Sequence, residues 1–408
     1  MSLRIASKWN NKALKWMKGR ENLFPDLEKS ISQGDKIIWF HCSSIGEFEQ
    51  GKPVIDSLQK VYPSYKILVT FFSPSGYESV KKNSGYIVSY LPLDTRENAQ
   101  KFLSIVQPSL VVFVKYEFWY HHLSAAAFRH IPILLISAVF RPDQFFFKRY
   151  GNFYFEMLFL FRHIFVQDEQ SLSLLTRRNI HHVSIGGDTR FDRVLEIQRN
   201  NYTFPIIEQF ISNKEVMVAG STWPGDEDIL ASAKDSFPEL KLIVAPHEIN
   251  EDHIIKIERQ FPNAQRYSVV AGENETEVSV WQETSDVLII DSIGMLSRLY
   301  KYGTICFIGG GYTKDGIHNI LEAAVFGKPV IFGPNYHKYR EAKELLYKEG
   351  AFTVNTSDDL KDIMRKLLGN KTYRENVSSN SRNYVLENTG TTARILQFIQ
   401  EKRLLTNS

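Results

Sequence analysis

Short apolar runs return along this chain, each followed by a longer stretch in which apolar positions recur with helical spacing. Lys36–His41, Tyr65–Phe71, Ser109–Val114, Ile131–Ile136 and His163–Gln167 are runs of this kind. Their length and apolar continuity predict strands. Phe48–Val61 reads as a helix, as does the segment entered by the turn Ser73-Pro74-Ser75-Gly76 and running into Lys82. Strands alternating with helices predict a parallel sheet with helices on both faces.

The polar stretch Gln198–Phe204, closed by Pro205, interrupts this rhythm and is the candidate linker. The pattern then restarts: Glu215–Ala219, Lys241–Val244, Asp286–Ile290, Thr304–Ile308 and Pro329–Phe332 are strand candidates between helical segments. The expected fold is α/β, with two doubly wound, Rossmann-like halves at 1–204 and 205–408. Such halves would place a cleft at the carboxyl ends of both sheets. The last ~35 residues read as charged helix and are expected to cross back over the first half.

The 408 residues suffice for two cores of ordinary size. Hydrophobic content of 43% and charged content of 23% are those of a soluble globular protein. A net charge of +3 argues against a nucleic-acid-coating role. Cys42 and Cys306 both sit in apolar, strand-like contexts and read as buried thiols, which fits a reducing compartment. No run approaches the ~20 apolar residues of a membrane span, and the N-terminus lacks the apolar core and cleavage site of a signal peptide.

Two segments leave a surface role open. Met1 to Arg20 carries Arg4, Lys8, Lys12, Lys15, Lys18 and Arg20 with Trp9 and Trp16 and no acidic residue. It reads either as a solvated helix start or as a face for an anionic membrane. Gln144 to Arg162 is crowded with Phe and Tyr, broken by Glu156. It reads either as a buried core helix or as an amphipathic surface for a lipid or hydrophobic partner.

Candidate chemistry gathers where strands end. Gly309-Gly310-Gly311 follows the run Thr304–Ile308 and leads through Gly316, His318 and Asn319 to Glu322. A glycine-rich turn between strand and helix predicts a phosphate site, with Glu322 one turn on and placed for ribose hydroxyls. A ligand-free tight turn is the other reading. Gly220-Ser221-Thr222, Pro246-His247-Glu248 and Asp291 to Gly294 end further strands of the same half.

In the first half, His41 to Glu47 leaves one strand and opens a helix. Glu47 there can act as a general base towards an alcohol, or complete a capping box with Ser44. Glu117-Phe118-Trp119 adds a second carboxylate and two aromatics at the same rim, where Glu117 either orients an acceptor or Glu47, or is an exposed loop residue. No metal constellation is read: His121-His122 and His181-His182 lack partners at ligand spacing. The absence of a Walker sequence and of an N-terminal strand–GxGxxG unit weakens kinase and dehydrogenase readings.

Taken in order, His41 to Glu47, Tyr90 to Asp94, Glu117 to Trp119, Phe191-Asp192, Ser221-Thr222, Asp291 to Gly294, Gly309 to Glu322 and Gly333-Pro334 resemble one family over nearly the whole chain. That family is the 3-deoxy-D-manno-octulosonic acid (Kdo) transferases of lipid A biosynthesis. The resemblance implies a GT-B, inverting, metal-independent glycosyltransferase with no cofactor. Its donor would be CMP-Kdo and its acceptor a lipid A precursor, at the cytoplasmic face of the bacterial inner membrane, with the 144–162 segment near the lipid. Glu47 would be the base, with Ser44, Gly46 and Glu117 on the acceptor side. Ser221, Thr222, Pro246, His247, Gly310, Gly311, Gly316, His318, Asn319 and Glu322 would hold the donor.

Four positions depart from the family pattern. His247-Glu248 stand where Arg-His is usual after the proline, and Lys115 where an acidic residue is common. Arg190 replaces a lysine, and in Ser137 to Arg141 the arginine is displaced. The family also carries an N-terminal anchor, which is expected to have been removed ahead of Met1-Ser2-Leu3. Two rival readings remain. Another sugar-nucleotide GT-B transferase or epimerase would keep Glu322 without needing Glu47. A non-catalytic membrane-associated binding protein would keep only the fold and the basic N-terminus.

Overall fold

The computed structural model describes residues 11–81, 85–115, 118–148, 151–200, 202–271 and 285–406. Two seven-stranded parallel sheets form, one in each of two compact units: residues 1–193 with 389–408, and residues 194–388.

The first sheet comprises β1 (Lys36–Cys42), β2 (Tyr65–Phe71), β3 (Ile87–Tyr90), β4 (Pro108–Val114), β5 (Ile133–Ala138), β6 (His163–Val166) and β7 (Val183–Ile185). Their order is β3-β2-β1-β4-β5-β6-β7. The chain therefore reverses direction across the sheet between β1 and β4. A doubly wound sheet opens a crevice at such a switch point, beyond the strands' carboxyl ends. Ser43-Ser44, leading into the helix Ile45–Val61, follows β1, and Lys115 follows β4.

The second sheet comprises β8 (Val216–Thr222), β9 (Lys241–Pro246), β10 (Ala264–Arg266), β11 (Val287–Ile289), β12 (Ile305–Ile308), β13 (Val330–Phe332) and β14 (Ala351–Thr353). Its order is β10-β11-β9-β8-β12-β13-β14, which puts the switch point between β8 and β12. The segments that follow are Trp223 onwards and Gly309 onwards.

Burial explains the strands. Ile37, Ile38, Trp39 and Phe40 of β1 are wholly buried, and so are Ile305 to Ile308 of β12, because helices cover both faces. Several strands run further at their carboxyl ends than their apolar runs suggest. β5 reaches Ala138, β8 reaches Thr222 and β9 reaches Pro246. The expected turn at Ser73–Gly76 is instead the first turn of a helix, Pro74–Lys81, with proline at its tolerated opening position.

The helix Thr189–Arg199 runs continuously across the unit boundary at Arg193/Val194, upstream of the junction expected at 204/205. After the helix Lys371–Glu387 of the second unit, the helix Thr391–Glu401 joins the first. Ile395 and Ile399 bury one helical turn apart against a core that includes Ile55, Leu58 and Phe165. Burial of each such side chain stabilises by about 1.5–3 kcal/mol. Asp192 caps this helix, accepting from Gly390 N–H and Thr392 N–H, both at 2.6 Å.

The described residues of the aromatic segment include the short helical pieces Phe145–Phe147, Asn152–Glu156 and Met157–Leu160 rather than one continuous helix. Phe146, Phe155, Met157, Leu158 and Phe161 are buried, while Phe153, Tyr154 and Phe159 face outward. Among the described residues, no helix is long and apolar enough to cross a membrane. Cys42 and Cys306 are free and buried, and burial pushes the Cys306 thiol up to about 12.

Candidate functional site

In the first unit, a buried hydrogen-bonded chain supports the rim. Trp119 Nε1–H donates to His41 Nε2 at 3.0 Å, so the His41 proton sits on Nδ1, 2.9 Å from Thr70 Oγ1. Thr70 also accepts from Trp39 Nε1–H at 2.7 Å and donates to the Phe40 carbonyl. His41 is thus a structural member of the motif that fixes Trp119. Phe72 packs on Trp119 with centroids 5.0 Å apart, and Trp16 meets Phe72 edge-on at 5.8 Å.

Arg20 closes this wall. Its guanidinium lies 4.0 Å from the Trp16 ring centre and donates to the carbonyls of Trp16, Phe72 and Leu91. Burial lowers it to about 10. Trp16 is therefore turned onto Arg20 and Phe72, while Lys15 and Lys18 are exposed.

Glu47 sits in the first turn of the helix Ile45–Val61 and is half-buried. The capping box forms: Ser44 N–H donates to Glu47 Oε2 at 3.1 Å, and Glu47 N–H donates to Ser44 Oγ at 3.4 Å. Gly46 is exposed between them. The box holds the carboxylate at the switch point, a geometry that serves either a cap or a base. Glu117 lies outside the described residues. After it, Asp94 accepts from the N–H groups of His121 and His122 and from the His122 ring at 2.8 Å, pinning the helix Tyr120–Phe128. Buried Asp188 bonds Gln50 and Arg190. Burial alone would raise Asp188, but the Arg190 guanidinium prevails and holds it below the usual carboxylate range.

In the second unit, three rings stack across adjacent strand ends. Trp223 lies on His247 with centroids 4.8 Å apart, and His247 on His318 at 4.5 Å. Trp223 Nε1–H donates to His318 Nε2 at 3.2 Å. Asp226 Oδ2 accepts from Trp223 N–H at 2.9 Å and from Gly310 N–H at 2.8 Å, tying the two switch-point segments together. Behind it, Thr222 Oγ1 donates to Glu227, whose other oxygen lies 2.9 Å from His253 Nε2. Pro246 ends β9 beside Thr222, and His247 N–H donates to the Thr222 carbonyl. Ser221 between them is held at φ +53°, a left-handed conformation costly for a residue with a Cβ.

The glycine segment follows β12 and reaches the expected helix only after a closed loop. His318 N–H returns to the Gly309 carbonyl and Gly316 N–H to Thr313, so residues 309–320 close into a loop. Only Leu321–Ala324 follow as helix. The N–H groups of Gly309, Gly310 and Gly316 are engaged inside the protein. Gly310 and Gly311 therefore serve by letting backbones approach: a Cβ on Gly311 would stand 2.4 Å from Gly333 Cα. Asn319 donates to Glu322 at 3.1 Å and accepts from Leu321 N–H, which orients both side chains.

Sequence reasoning passed over Trp223, Asp226, Glu227 and His253. Trp223 with Asp226 three residues on, around Pro224, has the spacing of a helix start, which was the legible signal. Among the described residues, no group of three or more His, Cys, Asp or Glu is placed to hold a metal ion.

Residues 15–193 match the family model described as 3-deoxy-D-manno-octulosonic-acid transferase (kdotransferase). The transferase of that name from Rickettsia felis is 29% identical over 366 residues, covering 86% of this chain and 76% of that protein. The one from Aquifex aeolicus is 28% identical over 86% of this chain and 91% of its own length. The chain is similar to Kdo transferases over most of its length, and the family match covers residues 15–193. The fold is GT-B. UDP-GlcNAc 2-epimerase from Neisseria meningitidis superposes with a TM-score of 0.63 at 16% identity, over 90% of this chain and all of that one. Acinetobacter baumannii MurG does so with 0.56 at 11% identity, over 90% and 99%.

Titrating groups make the stability of this Kdo-transferase relative depend on pH. Burial, then His247, lowers His318 to about 4; burial, then His182, Lys402 and Arg162, lowers His163 to about 4. Their stabilisation is complete above 6.5 and is lost as pH falls towards 4, because the unfolded chain then binds the extra protons. Asp226, raised by burial to about 6, has the opposite sign: its contribution is full below 3.8 and lost as pH rises through 6. His122, which burial also lowers, acts in the same sense as these two histidines. The three oppose one carboxyl, so the urea midpoint is expected to fall between pH 6.5 and 4.5. In His163→Gln that fall becomes shallower; an unchanged slope would contradict the assignment.

Proposed function

We propose that this chain is an inverting glycosyltransferase that moves Kdo from CMP-Kdo to a lipid A precursor. One observation carries the reading: in each sheet, both strands that flank the switch point lead into a family-like motif, His41 to Glu47 and Glu117 to Trp119 in the first, Ser221-Thr222 and Gly309 to Glu322 in the second. Ligands of open α/β sheets bind there.

In the first unit, Glu47 would take the proton of the acceptor hydroxyl as that oxygen attacks the anomeric carbon of Kdo. In the same displacement the bond from that carbon to the CMP phosphate oxygen breaks, and CMP leaves with the electron pair. Inversion follows from one displacement, so one carboxylate suffices. Ser44 and Gly46 keep Glu47 in place, and Glu117 belongs to the same acceptor side. In the second unit, Ser221, Thr222, Pro246, His247, Gly310, Gly311, Gly316, His318, Asn319 and Glu322 would shape the CMP site. The Asn319–Glu322 pair suits ribose hydroxyls.

The outward-facing Phe153, Tyr154 and Phe159 fit a place beside the acyl chains, at the cytoplasmic face of the inner membrane. The test is transfer from CMP-Kdo, generated in situ, to a tetra-acylated lipid A precursor in detergent with EDTA, read by mass spectrometry. A gain of one or more Kdo masses is expected. Folded protein that yields no gain would refute the donor or the acceptor, and binding of UDP instead of CMP would then point to another sugar nucleotide.

A further inference from the structure

Resting on the donor reading above, we propose that Trp223 is a positioning residue whose indole N–H locks the His318 proton on Nδ1. His318 then becomes an uncharged hydrogen-bond donor for the phosphate of a bound cytidine monophosphate.

The argument starts from the 3.2 Å bond between Trp223 Nε1 and His318 Nε2. An indole nitrogen can only donate, so Nε2 must accept. An uncharged imidazole holds one proton, which is then left on Nδ1. Placing a second proton on Nε2 would set two N–H groups against each other. That conflict adds to the burial and to the neighbouring His247 that hold His318 down at about 4.

The ring cannot turn away easily. His247 stacks on it at an interplanar angle of 26° and on Trp223 at 24°. The backbone fixes the remainder: His318 N–H bonds the Gly309 carbonyl at 3.1 Å. Trp223 and the glycine loop that carries His318 share one acceptor, Asp226 Oδ2. His318 remains half-buried at the carboxyl end of the sheet.

The experiment uses the isotopically labelled full chain and long-range proton–nitrogen spectra of its histidines at pH 7, with His318→Gln identifying the His318 signals. Wild type should show a protonated Nδ1 and an unprotonated Nε2. Trp223→Phe keeps an aromatic ring but removes the N–H. It should shift His318 towards the Nε2–H form, raise its pKa, and weaken CMP binding about tenfold by calorimetry, the worth of one hydrogen bond. A wild-type His318 protonated on Nε2 overturns the lock, and this reading needs no variant. A tautomer that is unmoved in folded Trp223→Phe also overturns it. The expected tautomers with no CMP binding by wild type would leave the lock standing and overturn the donor reading instead.

Discussion

Glu47→Gln is expected to fold as the parent does and to lose Kdo transfer by about 10²–10⁴ in kcat, the usual worth of a general base. The substitution separates chemistry from structure. Glutamine is the other residue that completes a capping box, because its carbonyl oxygen can accept the Ser44 N–H. The helix Ile45–Val61 therefore keeps its first turn, and the thermal midpoint should stay near that of the parent. What disappears is a carboxylate able to take a proton. Glu47→Ala removes both functions and should add about 1 kcal/mol of destabilisation from the lost cap. Transfer by Glu47→Gln within a few-fold of the parent would show that Glu47 is not the base.

That double role also marks how far the sequence could be read. Ser44-x-x-Glu47 spells a capping box and a candidate base with the same letters, and the structure contains the box without removing the second use. The interior strands were legible because they are buried on both faces and so read as continuous apolar runs. The four strands that escaped notice, β3, β7, β10 and β14, are the four sheet edges. Each has only three or four residues, and Ala264–Arg266 has no wholly buried one. An edge strand needs no apolar face towards a further neighbour, so its composition carries no periodic signal.

The candidate residues were legible as strand-end motifs, but their partners were not. Trp223, His247 and His318 lie far apart in sequence and meet only because β8, β9 and β12 are neighbours. The internal partners of the glycine segment were hidden for a related reason: Gly309 N–H bonds the Gly220 carbonyl and Gly310 N–H bonds Asp226, both distant in sequence, while the missing side chain of Gly311 admits the Gly333 backbone.

Gly311→Ala should therefore be among the most damaging substitutions in the second unit. A Cβ built there lies 2.4 Å from Gly333 Cα, 2.5 Å from Gly333 N and 2.8 Å from Gly333 C. Those atoms are backbone, so no rotamer change can relieve the clash. Either the glycine loop or the Gly333-Pro334 segment must move, and with it the bonds from Asn335 N–H to the Gly311 carbonyl and from Tyr312 OH to the Val354 carbonyl. Overpacking of this kind costs about 1–3 kcal/mol. The displacement would also carry His318 off its Trp223 contact, so CMP binding should fall at least about tenfold through that hydrogen bond alone. Gly369→Ala is the matched control. Nothing lies within 4 Å of its Cβ, and its backbone is helical. It should change stability by less than about 0.5 kcal/mol. Urea denaturation of both variants, with CMP calorimetry, measures the contrast. Should Gly311→Ala match Gly369→Ala in both, the loop is yielding enough to accept a methyl group, and close backbone approach is not what the glycine provides.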